Sequence, residues 1–480
     1  MQTRGWRPKG CLAWLSIGFV VLELIGILFV PGCGMLQLWV VNLVSQGQLA
    51  RLMPAIYNPF EGPPGPYVSN PVQTGAFYRQ NILYLSGPNG GTGAYRVSDG
   101  HFLYTTGGLP GTADERFLYT TSTTVASSPD TTVMATDTHG QQVWQYDAGH
   151  EGASSLQSVD GLLYYLGTSE YPATNEVVAL NESNGGLAWR YNPGNGQQLS
   201  YIVANNQMYL MTSSALLAFD ARSGHIRWQR SGSYNSLDGF FLDQATLYSL
   251  NHQGIQAINV NDGSLRWRVD YQGTFSQYFE PAFAGPVSAS LSVMRPDGSL
   301  AALRLSDGQV RWHIPAFANP LNTSLQLENG LLYALQNSGS VIDAVDPQTG
   351  KLLWHISPQE LLHVTQATFT IIGADQALLY LQARVAKGSS NSLLALDTST
   401  GRLHWQKPLP SEATVVLTPQ NISISSVVHR SNRPHTRWFT SIALPLYDCT
   451  ETLHLQAISQ QTGAQFWQQS KQETCVIDDY

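Results

Sequence analysis

The sequence predicts an all-β fold: a β-propeller of eight four-stranded antiparallel blades, preceded by a single N-terminal transmembrane helix. Three observations predict it. A Gly-x-x-x-Trp motif recurs eight times, strand-like alternation flanks each copy, and one long apolar run lies near the N-terminus.

The apolar run comes first. Residues 11–30, CLAWLSIGFVVLELIGILFV, are apolar apart from Ser16 and Glu23. Twenty such residues rise about 30 Å as a helix, enough to cross a hydrocarbon core. Arg4, Arg7 and Lys9 lie in the flank 1–10, and no Lys or Arg follows until Arg51. The positive flank is therefore expected in the cytoplasm and everything downstream outside it. A cleaved signal peptide would carry a shorter apolar region and a small-residue cleavage site. Here the run continues into MLQLWVVNLV, so the expectation is an uncleaved anchor over 11–44. The stretch VPGC, ending at Cys33, faintly resembles a bacterial lipoprotein cleavage box. Pro31 fits that box poorly, and GMLQLWVV follows where a polar tether would stand.

Residues 45–76 form the next element. Six prolines between 54 and 76 make a stiff stalk, separating the anchor from a head over 77–480.

Within the head the glycines are Gly140, Gly185, Gly224, Gly263, Gly308, Gly350, Gly401 and Gly463. Four places after each stands a tryptophan: Trp144, Trp189, Trp228, Trp267, Trp312, Trp354, Trp405 and Trp467. An alanine precedes each indole, at Ala135, Ala179, Ala218, Ala257, Ala302, Ala344, Ala395 and Ala457. ARSGHIRWQR (221–230) is typical: apolar strand, polar turn, Gly, three residues, Trp. Period-two alternation on both sides of a Gly-containing polar turn describes a β-hairpin, with Gly supplying the positive φ that a short turn with a bulge requires. Upstream of most hairpins lies another strand signal, such as GLLYYLG, NQMYLMT or ALLYLQA. About four short strands per unit, repeated this often, describe a propeller. A degraded copy, GAYRVSDGHFLYTT, carries Gly100 and has Tyr104 in the Trp place. It is either a ninth hairpin completing the ring or an added edge.

These motifs resemble the tryptophan-docking repeat of the quinoprotein-like (PQQ-like) propeller family, A-x-D-x-x-T-G-x-x-x-W. AVDPQTGKLLW (344–354) and ALDTSTGRLHW (395–405) match it closely, and the resemblance covers the whole head. It implies that each docking Trp packs against the neighbouring blade and its Ala, so that the indoles form a girdle. It also implies two functions. Some members are dehydrogenases that hold pyrroloquinoline quinone with calcium over the central channel. Others, such as the lipoprotein of outer-membrane protein assembly, use the propeller as a cofactor-free scaffold.

Fold alone does not choose between these, so the side chains must. The enzyme needs a Ca²⁺ cage of carboxylates and carbonyls and basic groups for the quinone. There is no adjacent Cys pair, and Asp238, Asp243, Glu280 and Asp297, which stand outside the motif turns, show no spacing of that kind. The sequence has no H-E-x-x-H, no G-x-S-x-G and no C-x-x-C. The Asp in DTSTG is expected to cap its own turn rather than bind Ca²⁺. Asn181, Asn322 and Asn421 stand in N-x-S/T sequons, which matter only in a host that glycosylates. Only 12% of residues are charged and the net charge is −8, which argues against a nucleic-acid surface.

Two features remain. Cys449 and Cys475 flank the last repeat and are expected to pair in an oxidising compartment. The long gap before Trp467 carries VVHRSNRPHTRWF, whose Arg430, Arg433, His435 and Arg437 form a basic hairpin tip. That tip is a contact for an acidic partner or a phospholipid surface, or simply a solvated tip that keeps an edge from aggregating. The functional expectation is a membrane-anchored, single-pass, extracytoplasmic binding or scaffolding module. The alternatives are a PQQ- and calcium-dependent dehydrogenase or a saccharide- or polymer-binding propeller.

Overall fold

A computed structural model describes residues 76–478, apart from 87–90, 124–130, 150–151, 171–172, 195–198, 233–238, 244, 252, 272–281, 386–390, 411–412 and 440–441. The expected anchor, its cytoplasmic flank and the stalk lie outside the described residues.

The described strands form nine four-stranded antiparallel sheets, each built from four consecutive strands in the order a-b-c-d. The blades occupy residues 76–106, 109–147, 152–191, 200–231, 239–270, 283–314, 324–356, 367–409 and 414–478. The first strands of blades 2 and 3, 3 and 4, 6 and 7, and 8 and 9 touch, and strand a of blade 1 (Ala76–Arg79) touches strand a of both blade 2 (Leu109–Ala113) and blade 9 (Thr414–Leu417). That double contact closes the ring.

The expected count of eight is therefore corrected to nine. Of the two expectations for the degraded copy with Tyr104, completing the ring beside the last blade holds and an added edge does not. The copy supplies strands c (Thr92–Arg96) and d (Phe102–Thr106) of a complete first blade. Tyr104 is buried and takes the docking place: a Cβ built on Gly140 of blade 2 would fall 2.6 Å from its side chain. A phenol ring fills enough of the wedge between blades to stand in for an indole.

Inside each blade, the Ala of strand c lies directly across from the Trp of strand d, as Ala218 does from Trp228. This corrects the expectation that the Ala comes from the neighbouring blade. Across its other side, the Ala faces a Tyr of strand b in six of the eight motif blades: Tyr119, Tyr164, Tyr209, Tyr248, Tyr333 and Tyr380. Blades 6 and 9 have Ser292 and Ser423 there instead. Only a methyl group on the middle strand leaves room for Tyr and Trp to meet above it. Their ring centroids are 5.8–6.2 Å apart, a normal packing distance for aromatic pairs.

One extra residue precedes each Trp. In every blade the c–d register slips just past the Ala, so that Ala179 pairs with Trp189 while Leu180 pairs with Leu187. Such a bulge bends the strand and re-aims the side chain beside it. Here it belongs to the geometry that carries the indole over the turn of the next blade.

Candidate functional site: the docking girdle and the arm of blade 9

Each docking contact is built from a turn and an indole. In blade 4, the N–H of Gly224 donates to the carbonyl of Asp220 at 2.9 Å, and the N–H of Asp220 donates to that of His225 at 2.8 Å. The Asp220 carboxylate accepts from the Ser223 N–H at 3.0 Å and from Arg227 at 2.7 Å. The Asp of DTSTG does the same, Asp397 accepting from the N–H groups of Ser399 and Thr400. These carboxylates cap their own turns, and the Arg227 guanidinium with the Ser223 donors holds the Asp220 carboxyl down at about 2.

Gly224 has φ +70°, and a Cβ there would lie 2.7 Å from Cδ2 of Trp189 in the preceding blade. The same relation joins every neighbouring pair, from Trp144 against Gly185 round to Trp467 against Gly100. The indole N–H then donates to the carbonyl three residues before that Gly. Trp144 reaches Glu182 at 2.6 Å, and Trp189, Trp228, Trp267, Trp312, Trp354 and Trp405 reach Ala221, Val260, Leu305, Pro347, Thr398 and Gln460. Trp467 reaches Val97 at 3.2 Å. An indole placed this way contributes its buried area, roughly 2–3 kcal/mol, and gives a turn carbonyl of the next blade a hydrogen-bond donor.

The junction between blades 9 and 1 has further contacts. The buried Asn421 side chain donates to Val97 O at 3.2 Å, so this sequon asparagine is engaged in packing. Lys471 Nζ sits 3.8 Å above the Phe102 ring. Leu453 and Leu455 of blade 9 pack with Leu83, Leu85, Tyr95 and Val97 of blade 1.

Between blades 2 and 3 lies a polar cluster that no motif announces. Glu182, only 4% exposed, accepts from Ser158 Oγ at 2.6 Å and from Arg116 at 3.3 Å. Burial, with help from the nearby Asp114, pushes its carboxyl above the ordinary range. Asp114 accepts from the Tyr119 hydroxyl at 2.7 Å.

Blade 9 departs from the others in strand length. Its strand a, Thr414–Leu417, has 4 residues, whereas strands b (Ile422–Phe439), c (Ile442–Ile458) and d (Gln465–Asp478) have 18, 17 and 14. Strand a pairs with b only as far as Ser425. Past that point b, c and d continue as a three-stranded arm with the outer edges of b and d unpaired among the described residues. At about 3.3 Å per residue, residues 427–439 of strand b reach roughly 40 Å.

Arg430, Arg433, His435 and Arg437 all lie on strand b of this arm, Arg437 two residues before its end at Phe439. The register slips between Ser431 and Pro434, with two residues of b, 432 and 433, set against the single residue 448 of c. This extra residue changes the phase of the strand, so Arg430 falls on the same face as His435 and Arg437, opposite Thr450, Leu446 and Leu444. Arg433 falls within the slip itself. Asp448 of strand c and Asp478 of strand d share that face, so it is mixed rather than purely basic. On the other face, Cys449 and Cys475 are direct cross-strand partners.

Of the four acids named for a calcium cage, Asp243 and Asp297 are described. Asp297 caps its own turn, accepting from Ser299 N at 2.9 Å, and Asp243 ends strand a of blade 5. That turn joins strands b and c of blade 6, so Asp297 stands outside the motif turn, as expected. Asp238 and Glu280 lie outside the described residues. Among the described residues no three His, Cys, Asp or Glu side chains gather as a metal donor set.

Residues 73–253, 251–431 and 337–476 match the model of the family described as outer membrane protein assembly factor BamB. A BamB of Moranella endobia (strain PCIT) is 22% identical over 293 residues, covering 55% of this chain and 71% of that protein. Among solved structures, BamB from Moraxella catarrhalis is 11% identical, with a TM-score of 0.42 over 68% of this chain and 91% of that one. The quinohemoprotein alcohol dehydrogenase of Comamonas testosteroni is also 11% identical, with a TM-score of 0.43 over 74% and 70%. At these scores neither structure bears on the choice between scaffold and enzyme.

Proposed function

The chain belongs to the family of outer membrane protein assembly factor BamB, and on that premise we propose that it is a cofactor-free scaffold in the assembly of outer-membrane proteins. In this reading its propeller lies on the extracytoplasmic side, and residues 11–44 tie it to a membrane. The partner is another protein of the assembly process rather than a small molecule.

The observation that carries the reading is how the conspicuous side chains are engaged. Every motif tryptophan has its indole N–H on a carbonyl of the next blade, and its ring covers that blade's turn glycine. The motif residues thus serve the ring, and recognition falls to what the repeat leaves over. The largest departure from the repeat is the arm, with two strand edges unpaired among the described residues and His435 and Arg437 set across from Leu446 and Leu444. Unpaired edges offer main-chain hydrogen bonds to a partner strand, and mixed charge with apolar residues suits a protein contact.

The test uses the full chain. Replacing Arg430, Arg433 and Arg437 with Ser should reduce co-purification with the envelope's outer-membrane assembly proteins and leave the thermal midpoint unchanged. Undiminished recovery would remove the arm from the reading. The dehydrogenase alternative is tested by adding pyrroloquinoline quinone and Ca²⁺ and following dye reduction with alcohols and sugars. Calcium-dependent turnover would overturn the scaffold reading. For the anchor, the chain should stay with membranes through an alkaline carbonate wash, and release would overturn that part alone.

A further inference from the structure

We propose that Cys449 and Cys475 form a disulfide across strands c and d of blade 9, and that this bridge latches the ring where it has no covalent closure.

The first half rests on register. Antiparallel pairing sets Cys449 directly against Cys475, with Asp448–Val476 and Thr450–Thr474 as the neighbouring pairs. Directly opposed residues in antiparallel strands have Cα atoms about 4.5 or 5.5 Å apart, depending on the pair type. Both values lie within the roughly 4.4–6.8 Å range that a disulfide spans without moving the backbone. A shift of one residue would put the two cysteines on opposite faces, and the pairing is unbroken from Leu446–Asp478 to Ala457–Trp467.

The second half rests on topology. Eight of the nine junctions are crossed by the chain itself, which runs from strand d of one blade to strand a of the next. At the ninth, blade 1 is made wholly from the first four strands and blade 9 wholly from the last four. No strand is exchanged, so non-covalent contacts alone hold this seam. Strand d carries Trp467, which docks on Val97 and Gly100, and strand c carries Leu453 and Leu455 of the seam cluster. A bridge from Cys449 to Cys475 encloses the c–d hairpin containing those residues. It prevents strand d from peeling away from c, which is the movement that would withdraw the indole.

The chemistry balances with a disulfide oxidant, either a small molecule such as oxidised glutathione or an exchange protein in its disulfide form. One cysteine thiolate attacks the oxidant's S–S bond, forming a mixed disulfide and releasing one reduced thiol. The second cysteine displaces the other half. The pair loses two protons and two electrons in total, and the oxidant leaves as two thiols.

The test is independent of where the protein resides or what it binds. Full-length chain is purified without reductant, equilibrated in mixed oxidised and reduced glutathione, alkylated and cut with trypsin. Cleavage after Arg437 and Lys471 places the two cysteines on separate peptides, 438–471 and 472–480. The expected product is these two peptides joined. Free thiols at both positions, or linkage of either to Cys11 or Cys33, would overturn the bridge. Hydrogen exchange then tests the latch: reduction of the wild-type chain should speed exchange of the Val97 and Gly100 amides about tenfold and leave Gly224 unchanged. The double variant Cys449→Ser, Cys475→Ser should melt roughly 5 °C lower than wild type in oxidising buffer and coincide with it in reducing buffer. A bridge that forms while the Val97 and Gly100 amides stay unmoved would overturn the latch.

Discussion

Trp467 donates its indole N–H to the carbonyl oxygen of Val97, 370 residues earlier in the chain, at 3.2 Å. The same carbonyl accepts from Asn421, so a single oxygen of blade 1 receives two side chains of blade 9. Replacing Trp467 with Phe should keep most of the packing and lose about 1 kcal/mol with the donor. Trp467→Ala should cost about 2–3 kcal/mol, since the indole is only partly buried. Denaturant unfolding measures both, and equal losses would mean that the hydrogen bond contributes nothing beyond the ring.

Glycine in the docking turn meets two demands, and two positions separate them. Gly224 and Gly149 both have φ +70°, but only at Gly224 would a Cβ meet an indole, whereas at Gly149 nothing lies within 4 Å. Gly149→Ala should cost about 1–2 kcal/mol for the left-handed backbone. Gly224→Ala should cost about 1–3 kcal/mol more, because Trp189 must move as well. Comparable thermal midpoints for the two variants would refute the steric part.

Tyr104 makes the nine-blade count testable in solution. If it docks blade 1 on blade 2, Tyr104→Ala should destabilise the head by about 3 kcal/mol, as for a large buried aromatic. A loose hairpin at the edge would lose well under 1 kcal/mol. Thermal unfolding of the head distinguishes these.

The carboxylates give opposite pH responses. Glu182 has its folded pKa raised, chiefly by burial, so its contribution is fully present below the unfolded value. It is lost as pH rises through the folded one. The cap Asp220 is held at about 2, so what it contributes is present above its unfolded pKa and is lost as pH falls toward 2. Glu182→Gln should therefore flatten the loss of stability on the alkaline side of the usual carboxylate range. Asp220→Asn should flatten the acid limb alone. Midpoints measured from pH 2 to 8 check both, and an unchanged Glu182→Gln profile would remove the blade 2–3 cluster from the account.

Much of this architecture can be read from Gly-x-x-x-Trp, because a period of about 40 residues with one hairpin per period leaves few folds available. The blade count was not readable, because it depends on whether Tyr104 fills the space an indole fills, which is a matter of packed volume rather than motif. The LLYxL runs mark strand b plainly. That their Tyr meets the Trp over an Ala follows only from the register, as with Tyr209, Ala218 and Trp228. The arm was half legible. A long insertion with alternating residues suggested a hairpin, but Arg430 and Arg437 share a face only because of the slip between Ser431 and Pro434. The pairing of Glu182 with Ser158 and Arg116 had no sequence signal, since it joins residues from three separate turns and strands.

Every blade is one uninterrupted stretch of chain, first to ninth in order. A polypeptide threaded through a translocation pore N-terminus first can therefore complete each wedge as it emerges and dock it on its predecessor. It need not hold back an orphan strand until the far end arrives. Trp467 is the one docking residue whose target emerged hundreds of residues earlier, so circularisation is a single terminal event, and a chain truncated before it would be left as an open crescent.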